Sequence, residues 1–217
     1  MDYLYAILLG YLCGSIPTAY WLGRLVYRLN IFDHGSKNMG ATNVFRVLGK
    51  KPGMFTLLID IIKGMLPVLI IRQVMPHNLI AAFVAATAAM VGHTLSFWVH
   101  FKGGKGVATG LGVFFALASK ASLCSLLLFL ATFGFSGMVS LGSILAAAAL
   151  PFFIYGFDEL GPEYNSYITM FSAVAAVFVI YKHKANIARI IKGEESRISR
   201  NKASTSNSPD QTTEKAT

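Results

Sequence analysis

The chain has 217 residues, of which 54% are hydrophobic and 13% charged, with a mean hydropathy of +0.56. Soluble domains carry about 25% charged residues, so these figures exclude a polar-shelled globular domain and, except locally, a disordered chain. An apolar chain that nevertheless carries a net charge of +9 reads as an integral membrane protein with its cations gathered in a few places.

The mass of 23.5 kDa holds one compact domain, with room for about five to seven spans of ~20 residues. The opening MDYLYAILLGYLCGSIPTAYWLG lacks a basic leader and is too long for a signal-peptide core. It is read as a retained first span. Cys13 and Cys124 lie in apolar stretches and read as packing residues, not a disulfide framework. No His/Cys spacing suggests zinc.

Apolar segments follow at 3–26, 53–71, 78–97, 106–118, 121–135, 139–155 and 164–181. The first three and the last are long enough to span at ~1.5 Å per residue. The segments at 106–118 and 121–135 are short. They are compatible with two short spans, one re-entrant hairpin or one broken span, since backbone irregularity is tolerated where protein or a wet cavity surrounds it. Residues 1–195 form the membrane domain, and the polar stretch 196–217 reads as a disordered cytoplasmic tail.

Sixteen of the 19 basic residues fall in three places: the first connector with its flanks, the third connector (Lys102, Lys105), and the region from Lys182 onward. With seven spans, or five plus a re-entrant pair, all three lie on one side. The other side receives Arg72 and Lys120, the acidic connector of Asp158, Glu159 and Glu163, and Asp2. The positive-inside rule makes the basic side cytoplasmic. The expectation is an all-α integral membrane protein of about seven transmembrane helices, N-terminus periplasmic and C-terminus cytoplasmic.

Four polar, glycine-rich segments fall on that side. In 34–46, HGSKNMGATNVFR, the backbone can cradle a phosphate while Ser, Thr, Asn and Arg complete the shell. An ordinary connector with headgroup-touching cations has the same composition. In 92–109, GHTLSFWVHFKGGKGVAT, the KGGKG core precedes an apolar segment whose helix N-terminus can face an anion. It is not a Walker A motif, because Gly106 follows Lys105. A flexible hinge with snorkelling lysines is the other reading. SLGS at 140–143 matches small residues at a helix contact. In 181–195, His183 and Asn186 are spaced i, i+3 and share a helix face. The same stretch is a basic amphipathic helix suited to a membrane surface. Asp60 and Lys63, also i, i+3, lie inside a span. They neutralise each other structurally, or Lys63 reaches toward a phosphate.

GSIPTAYWLGR, GSKNMGATNVFR, DIIKG, GHTLSFWVHFKGGKGVAT, SLGS and HKANIARIIKGEE occur in this order. Together they resemble the bacterial acyl-phosphate:glycerol-3-phosphate acyltransferase family, the PlsY type. The resemblance implies a seven-span inner-membrane enzyme that moves a fatty acyl group from acyl phosphate to the sn-1 hydroxyl of glycerol 3-phosphate. The products are lysophosphatidic acid and phosphate. It implies catalytic roles for Ser36, Arg46, His183 and Asn186, a glycerol-phosphate loop around Lys105, a substrate-contacting Ser140 and a structural carboxylate at Glu195. The binding shell is expected from Asn38, Gly40, Thr42, Asn43, Lys63, Lys102, Gly103, Gly104, Lys105, Gly106 and Ser140, and Asp60 is expected to be structural.

Two phosphorylated substrates demand a dense cationic, N–H-rich pocket. Acyl phosphate is already a mixed anhydride, so no cofactor or metal is expected. The partners are the two substrates and membrane lipid, with no nucleic acid and no obligate protein partner. The expected chemistry is direct attack of the glycerol hydroxyl on the acyl carbonyl. His183 or a substrate phosphate oxygen acts as base, without a Ser36 acyl-enzyme. No histidine is followed by Asp five residues on, so the HxxxxD acyltransferase pattern is absent. A small organic-phosphate transporter and a non-enzymatic scaffold are the competing readings. The first should show paired halves, and the second leaves KGGKG and GATN without a use.

Overall fold

A computed structural model describes residues 2–158 and 161–198, which form helices and connecting turns without a strand. The expected tail at 196–217 lies outside these residues from 199 onward, as does Glu159 of the acidic connector.

Helix α1 (Asp2–Ser15) is interrupted just before Pro17, and the chain resumes as α2 (Thr18–Trp21) and a π-helical turn at Leu22–Val26. Proline removes a backbone donor and frees a carbonyl, here inside an apolar stretch where water is unavailable. Local turns and Ser96 satisfy part of the break, with the Ile16 N–H on the Cys13 carbonyl, the Thr18 N–H on the Ile16 carbonyl and the Ser96 hydroxyl on the Ser15 carbonyl. Helix α4 (Lys50–Val74) adds side-chain bonds. Lys63 Nζ donates to the Ile16 carbonyl at 2.7 Å, and Thr18 Oγ1 donates to Asp60 Oδ1 at 3.3 Å. Lys63 and Asp60 pair at 2.7 Å, at 3% and 2% exposure. Of the two roles the sequence leaves open, this geometry serves the structural one. The intramembrane ion pair clamps the broken span, and Lys63, expected to reach a ligand, has its ammonium turned onto protein.

A small helix, α3 (Ala41–Val47), precedes α4. After it come α5 (Leu79–Thr94), α6 (Val107–Leu117), α7 (Ser119–Ser136), α8 (Val139–Phe157), α9 (Pro162–Lys182) and the short α10 (Lys184–Ile191). Six stretches are long and apolar enough to cross a membrane: Tyr3–Val26, Lys50–Val74, Leu79–Val99, Ser119–Ser136, Val139–Phe157 and Tyr164–Lys182. Helix α6 has 11 residues, which rise only about 16 Å against a hydrocarbon core of ~30 Å. Ala118 alone separates it from α7. The short pair expected at 106–135 is therefore one half-length helix followed by one full-length helix. Much of α6 is buried among its neighbours, as a segment too short to reach both headgroup layers requires.

The helices approach closely because their contacts are built from small residues. Alanines 81, 82, 85, 86 and 89 of α5 are all completely buried. A Cβ added to Gly14 would come 2.1 Å from the Ala89 carbonyl, and one on Gly112 would come 1.9 Å from that of Ile61. Lipid tails are as apolar as leucine, so close van der Waals fit drives such contacts. The main core joins α1, α4, α5 and α6 to α7, α8 and α9. A second cluster, of Ala19, Ile31, Met39, Val44 and Val99, lies under the 31–48 segment. It holds that segment over the end of the bundle where α5 finishes and α6 begins.

Candidate active site

The first polar loop is organised by Asn43. Its side chain is 1% exposed. Its Oδ1 accepts the Ser36 N–H at 2.7 Å, and its Nδ2 donates to the carbonyls of His34 (3.0 Å) and Ile31 (3.2 Å). Asn43, expected in the binding shell, thus has its amide fully engaged in shaping the loop. Asn38 Oδ1 accepts the Gly40 N–H at 2.9 Å, where α3 begins. Ser36 and Arg46 are exposed and Thr42 half-buried. The Ser36 hydroxyl has no histidine bonded to it among the described residues, so no base is set to activate it as a nucleophile.

The KGGKG loop folds back on the end of α5. The Gly103 N–H donates to the Thr94 carbonyl at 3.0 Å, and the Gly104 N–H donates to that of His93 at 3.1 Å. A Cβ on Gly103 would lie 2.1 Å from the His93 carbonyl, and one on Gly104 would lie 2.2 Å from His93 Nε2. These glycines are needed for close packing. Their donors are occupied and cannot also hold an anion. The donors left for a ligand follow them, at Lys105, Gly106 and the first turn of α6. Gly106, at φ +81°, provides the left-handed turn into that helix. Lys102 is exposed.

Lys105 connects the loop to the C-terminal motif through a hydrogen bond from its Nζ to Asn186 Oδ1. Burial lowers its pKa from 10.5 to about 8. Glu195 opposes the shift, while Arg189, Arg46 and Lys182 add to it. These charges bring the first-loop arginine and the two ends of α10 into one electrostatic field around Lys105.

Glu195 is the hub of that motif. Its Oε1 accepts from Ser140 Oγ at 2.7 Å and from Asn186 Nδ2 at 2.6 Å, and its Oε2 accepts from Arg189 Nε at 2.7 Å. Burial alone would raise its pKa. The bonds from Ser140, Asn186 and Arg189, with the Arg189 charge, outweigh burial and hold the carboxyl below its ordinary value. With Nδ2 directed at Glu195, the Asn186 Oδ1 faces Lys105. Ser140, expected to touch substrate, has its hydroxyl proton on Glu195. The segment continues to the α7–α8 turn, where the Ile198 N–H donates to the Gly137 carbonyl at 2.9 Å.

His183, 3% exposed, sits at the junction of α9 and α10 with Nδ1 2.8 Å from the Val179 carbonyl. A carbonyl only accepts, so Nδ1 carries the proton and Nε2 keeps its lone pair. Burial lowers the His183 pKa, and Lys105 lowers it further, against the Val179 bond and Glu195. The ring is a neutral acceptor near pH 7.

The structure therefore unites Lys105, His183, Asn186, Ser140 and Glu195, with Arg46 in their field. It assigns Asn43, Gly103, Gly104, Lys63 and Asp60 to internal bonding and packing. Two residues were missed in the sequence. Arg189 stands i+3 from Asn186 and shares its face of α10, a signal available at the outset. His93 lies in a motif read for its lysines. Among the described residues no group of three or more His, Cys, Asp or Glu could hold a metal ion.

The glycerol-3-phosphate acyltransferase family profile matches residues 4–193. A glycerol-3-phosphate acyltransferase of Endomicrobium trichonymphae is 44% identical over 192 residues, covering 88% of this chain and 94% of the relative. One from Prochlorococcus marinus (strain MIT 9312) is 42% identical over 195 residues, covering 90% and 97%. The fold is similar to a crystal structure of PlsY (YgiH), an integral membrane glycerol 3-phosphate acyltransferase, in its glycerol 3-phosphate form. The TM-score is 0.84 and the identity 34%, with 92% of this chain and 96% of that chain covered. The lysophosphatidic acid form of PlsY is similar at TM-score 0.82.

Proposed function

The chain belongs to the glycerol-3-phosphate acyltransferase family, and from that membership we propose that it transfers a fatty acyl group from acyl phosphate to the sn-1 hydroxyl of glycerol 3-phosphate. The products are 1-acyl-glycerol 3-phosphate and inorganic phosphate. The observation that carries this reading is the Lys105–Asn186–Glu195 chain beside a buried His183 with a free Nε2. A cation and an oriented amide stand next to a neutral base at the end of a membrane-embedded bundle.

Glycerol 3-phosphate binds with its phosphate on Lys105, Gly106 and the first-turn N–H groups of α6. Ser36, Asn38, Gly40, Thr42, Arg46 and Lys102 line the approach from the first loop and the turn. The hydroxyl oxygen attacks the acyl carbonyl carbon, and His183 Nε2 takes its proton. The new ester C–O bond forms as the bond between carbonyl carbon and phosphate oxygen breaks. The leaving phosphate departs toward the Arg46 and Lys105 cations and recovers the proton from His183. Asn43 and Glu195 are positioning residues, the first for the Ser36 loop and the second for Asn186.

The site faces the cytoplasm of the bacterial inner membrane and the N-terminus lies outside. The clustering of basic residues at the site end supports this, with Arg72 bonded to the Ala116 carbonyl near the far end of α6.

The test offers purified protein glycerol 3-phosphate with acyl phosphate or acyl-CoA, and maps the product by NMR. Expected is a 1-acyl product from acyl phosphate alone. A 2-acyl product, or turnover with acyl-CoA, would refute the assignment of donor and position, and an acylated Ser36 would refute direct attack.

A further inference from the structure

We infer that His93, through its buried imidazole, is a positioning residue for the glycerol-phosphate loop. The inference rests on the function proposed above, in which that loop binds the acceptor's phosphate.

His93 lies in the last turn of α5 and is 3% exposed. Its carbonyl accepts the Gly104 N–H at 3.1 Å, a task any residue could perform, so this bond does not explain an imidazole. The ring itself lies against Gly104, with Nε2 2.2 Å and Cε1 2.9 Å from where a Gly104 Cβ would stand. The loop thus rests on the edge of the ring, one residue before Lys105. Nδ1 has no hydrogen-bond partner. A buried polar atom without one is unfavourable, a cost phenylalanine or leucine would avoid, so packing alone does not account for histidine here. The cations acting on the ring are Lys63, of the clamp that closes the broken first span, and Lys182, next to His183. His93 therefore stands between the clamp and the site, with its ring under the loop.

Two features limit what the ring can do. The Gly103 and Gly104 donors are held by α5, so phosphate affinity depends on how the chain leaves Gly104 to aim Lys105 and the start of α6. His93 itself is buried beneath the loop, so its hold on the acceptor is indirect. Its effect should therefore appear in acceptor binding and not in the chemical step.

The test is a double-mutant cycle on the full chain in detergent, with KM for each substrate, kcat and the melting temperature measured together. His93→Ala should raise KM for glycerol 3-phosphate at least 10-fold, with kcat within 3-fold and the acyl-donor KM within 2-fold of wild type. His93→Gln, which restores a polar group of similar reach, should recover most of the loss. Gly104→Ala should show the same selective rise, because its methyl meets the ring. The pair should be non-additive, because the methyl fits the space the imidazole vacates: Gly104→Ala should cost under 3-fold in the His93→Ala background. An equal rise in both KM values, a fall in kcat alone, full additivity or no change would each overturn the inference. If His93→Ala does not fold, Gly104→Ala with His93→Gln decides by the same selectivity. A wild-type protein without turnover would refute the proposed function. An active wild type with an unchanged His93→Ala would refute only the positioning role.

Discussion

Replacing Lys63 by Met tests the clamp on the broken first span. Methionine retains most of the side-chain volume. Asp60 then loses its 2.7 Å partner and keeps only the 3.3 Å bond from Thr18, while the Ile16 carbonyl loses one of its two donors and keeps the Thr18 N–H at 3.1 Å. Breaking a buried pair by removing one member costs roughly 3–5 kcal/mol. For a chain of this size that lowers the melting temperature by roughly 6–20 °C. The double variant Lys63→Met/Asp60→Leu removes the stranded charge as well. It leaves only the Thr18 hydroxyl without its partner, since the Ile16 carbonyl still accepts the Thr18 N–H, so it should be more stable than Lys63→Met alone. Thermal unfolding of wild type, Lys63→Met, Asp60→Leu and the double variant in one detergent measures this. If Lys63→Met shifts the midpoint by less than ~3 °C, or the double variant loses the sum of the single losses, the clamp does not hold the break.

With Lys105 cationic below its pKa of about 8 and neutral above it, kcat/KM for glycerol 3-phosphate should fall as pH rises through about 8. Lys105→Arg, which stays charged, should abolish that limb, and a limb that survives would remove Lys105 from phosphate binding. His183, whose pKa lies below the ordinary histidine value, is neutral and basic above that pKa, so the acid limb should lie below pH 6.5. His183→Ala should cost about 10²–10⁴-fold in kcat and erase that limb. A loss under 10-fold would move the proton to a substrate phosphate. Glu195→Gln, which disturbs three bonds, should lower kcat more than Arg189→Ala, because the Arg189 side chain is itself 44% exposed and pairs with an exposed member contribute about 0–1 kcal/mol. A reporter fused after Lys202 should be active only in a cytoplasmic assay, and periplasmic activity would reverse the topology.

The membrane class, the apolar segments and the motif order were legible because each is a local property of the chain. The weakness of the segment at 106–118 was legible too, and α6 is a half-length helix there. Less legible was which polar groups face a ligand and which face protein. Asn43 and Ser36 look equally available in GSKNMGATN, yet only the folded loop turns the Asn43 amide inward. Gly103 and Gly104 look like an anion cradle until the end of α5 is found to occupy their N–H groups. Lys63 could point either way along α4, and what fixes it is the Pro17 break, 46 residues distant in sequence. Such choices depend on long-range contacts that no spacing encodes.

Direct acyl transfer from acyl phosphate to glycerol 3-phosphate, with no acyl-enzyme between them, is the proposed chemistry. It is tested by following inorganic phosphate and lysophosphatidic acid in one reaction of purified protein with acyl phosphate, before and after glycerol 3-phosphate is added. No phosphate release is expected before the addition, and one phosphate per lysophosphatidic acid formed is expected after it. A phosphate burst stoichiometric with protein before the addition would show an acyl-enzyme, and no release after it would show that acyl phosphate is not the donor.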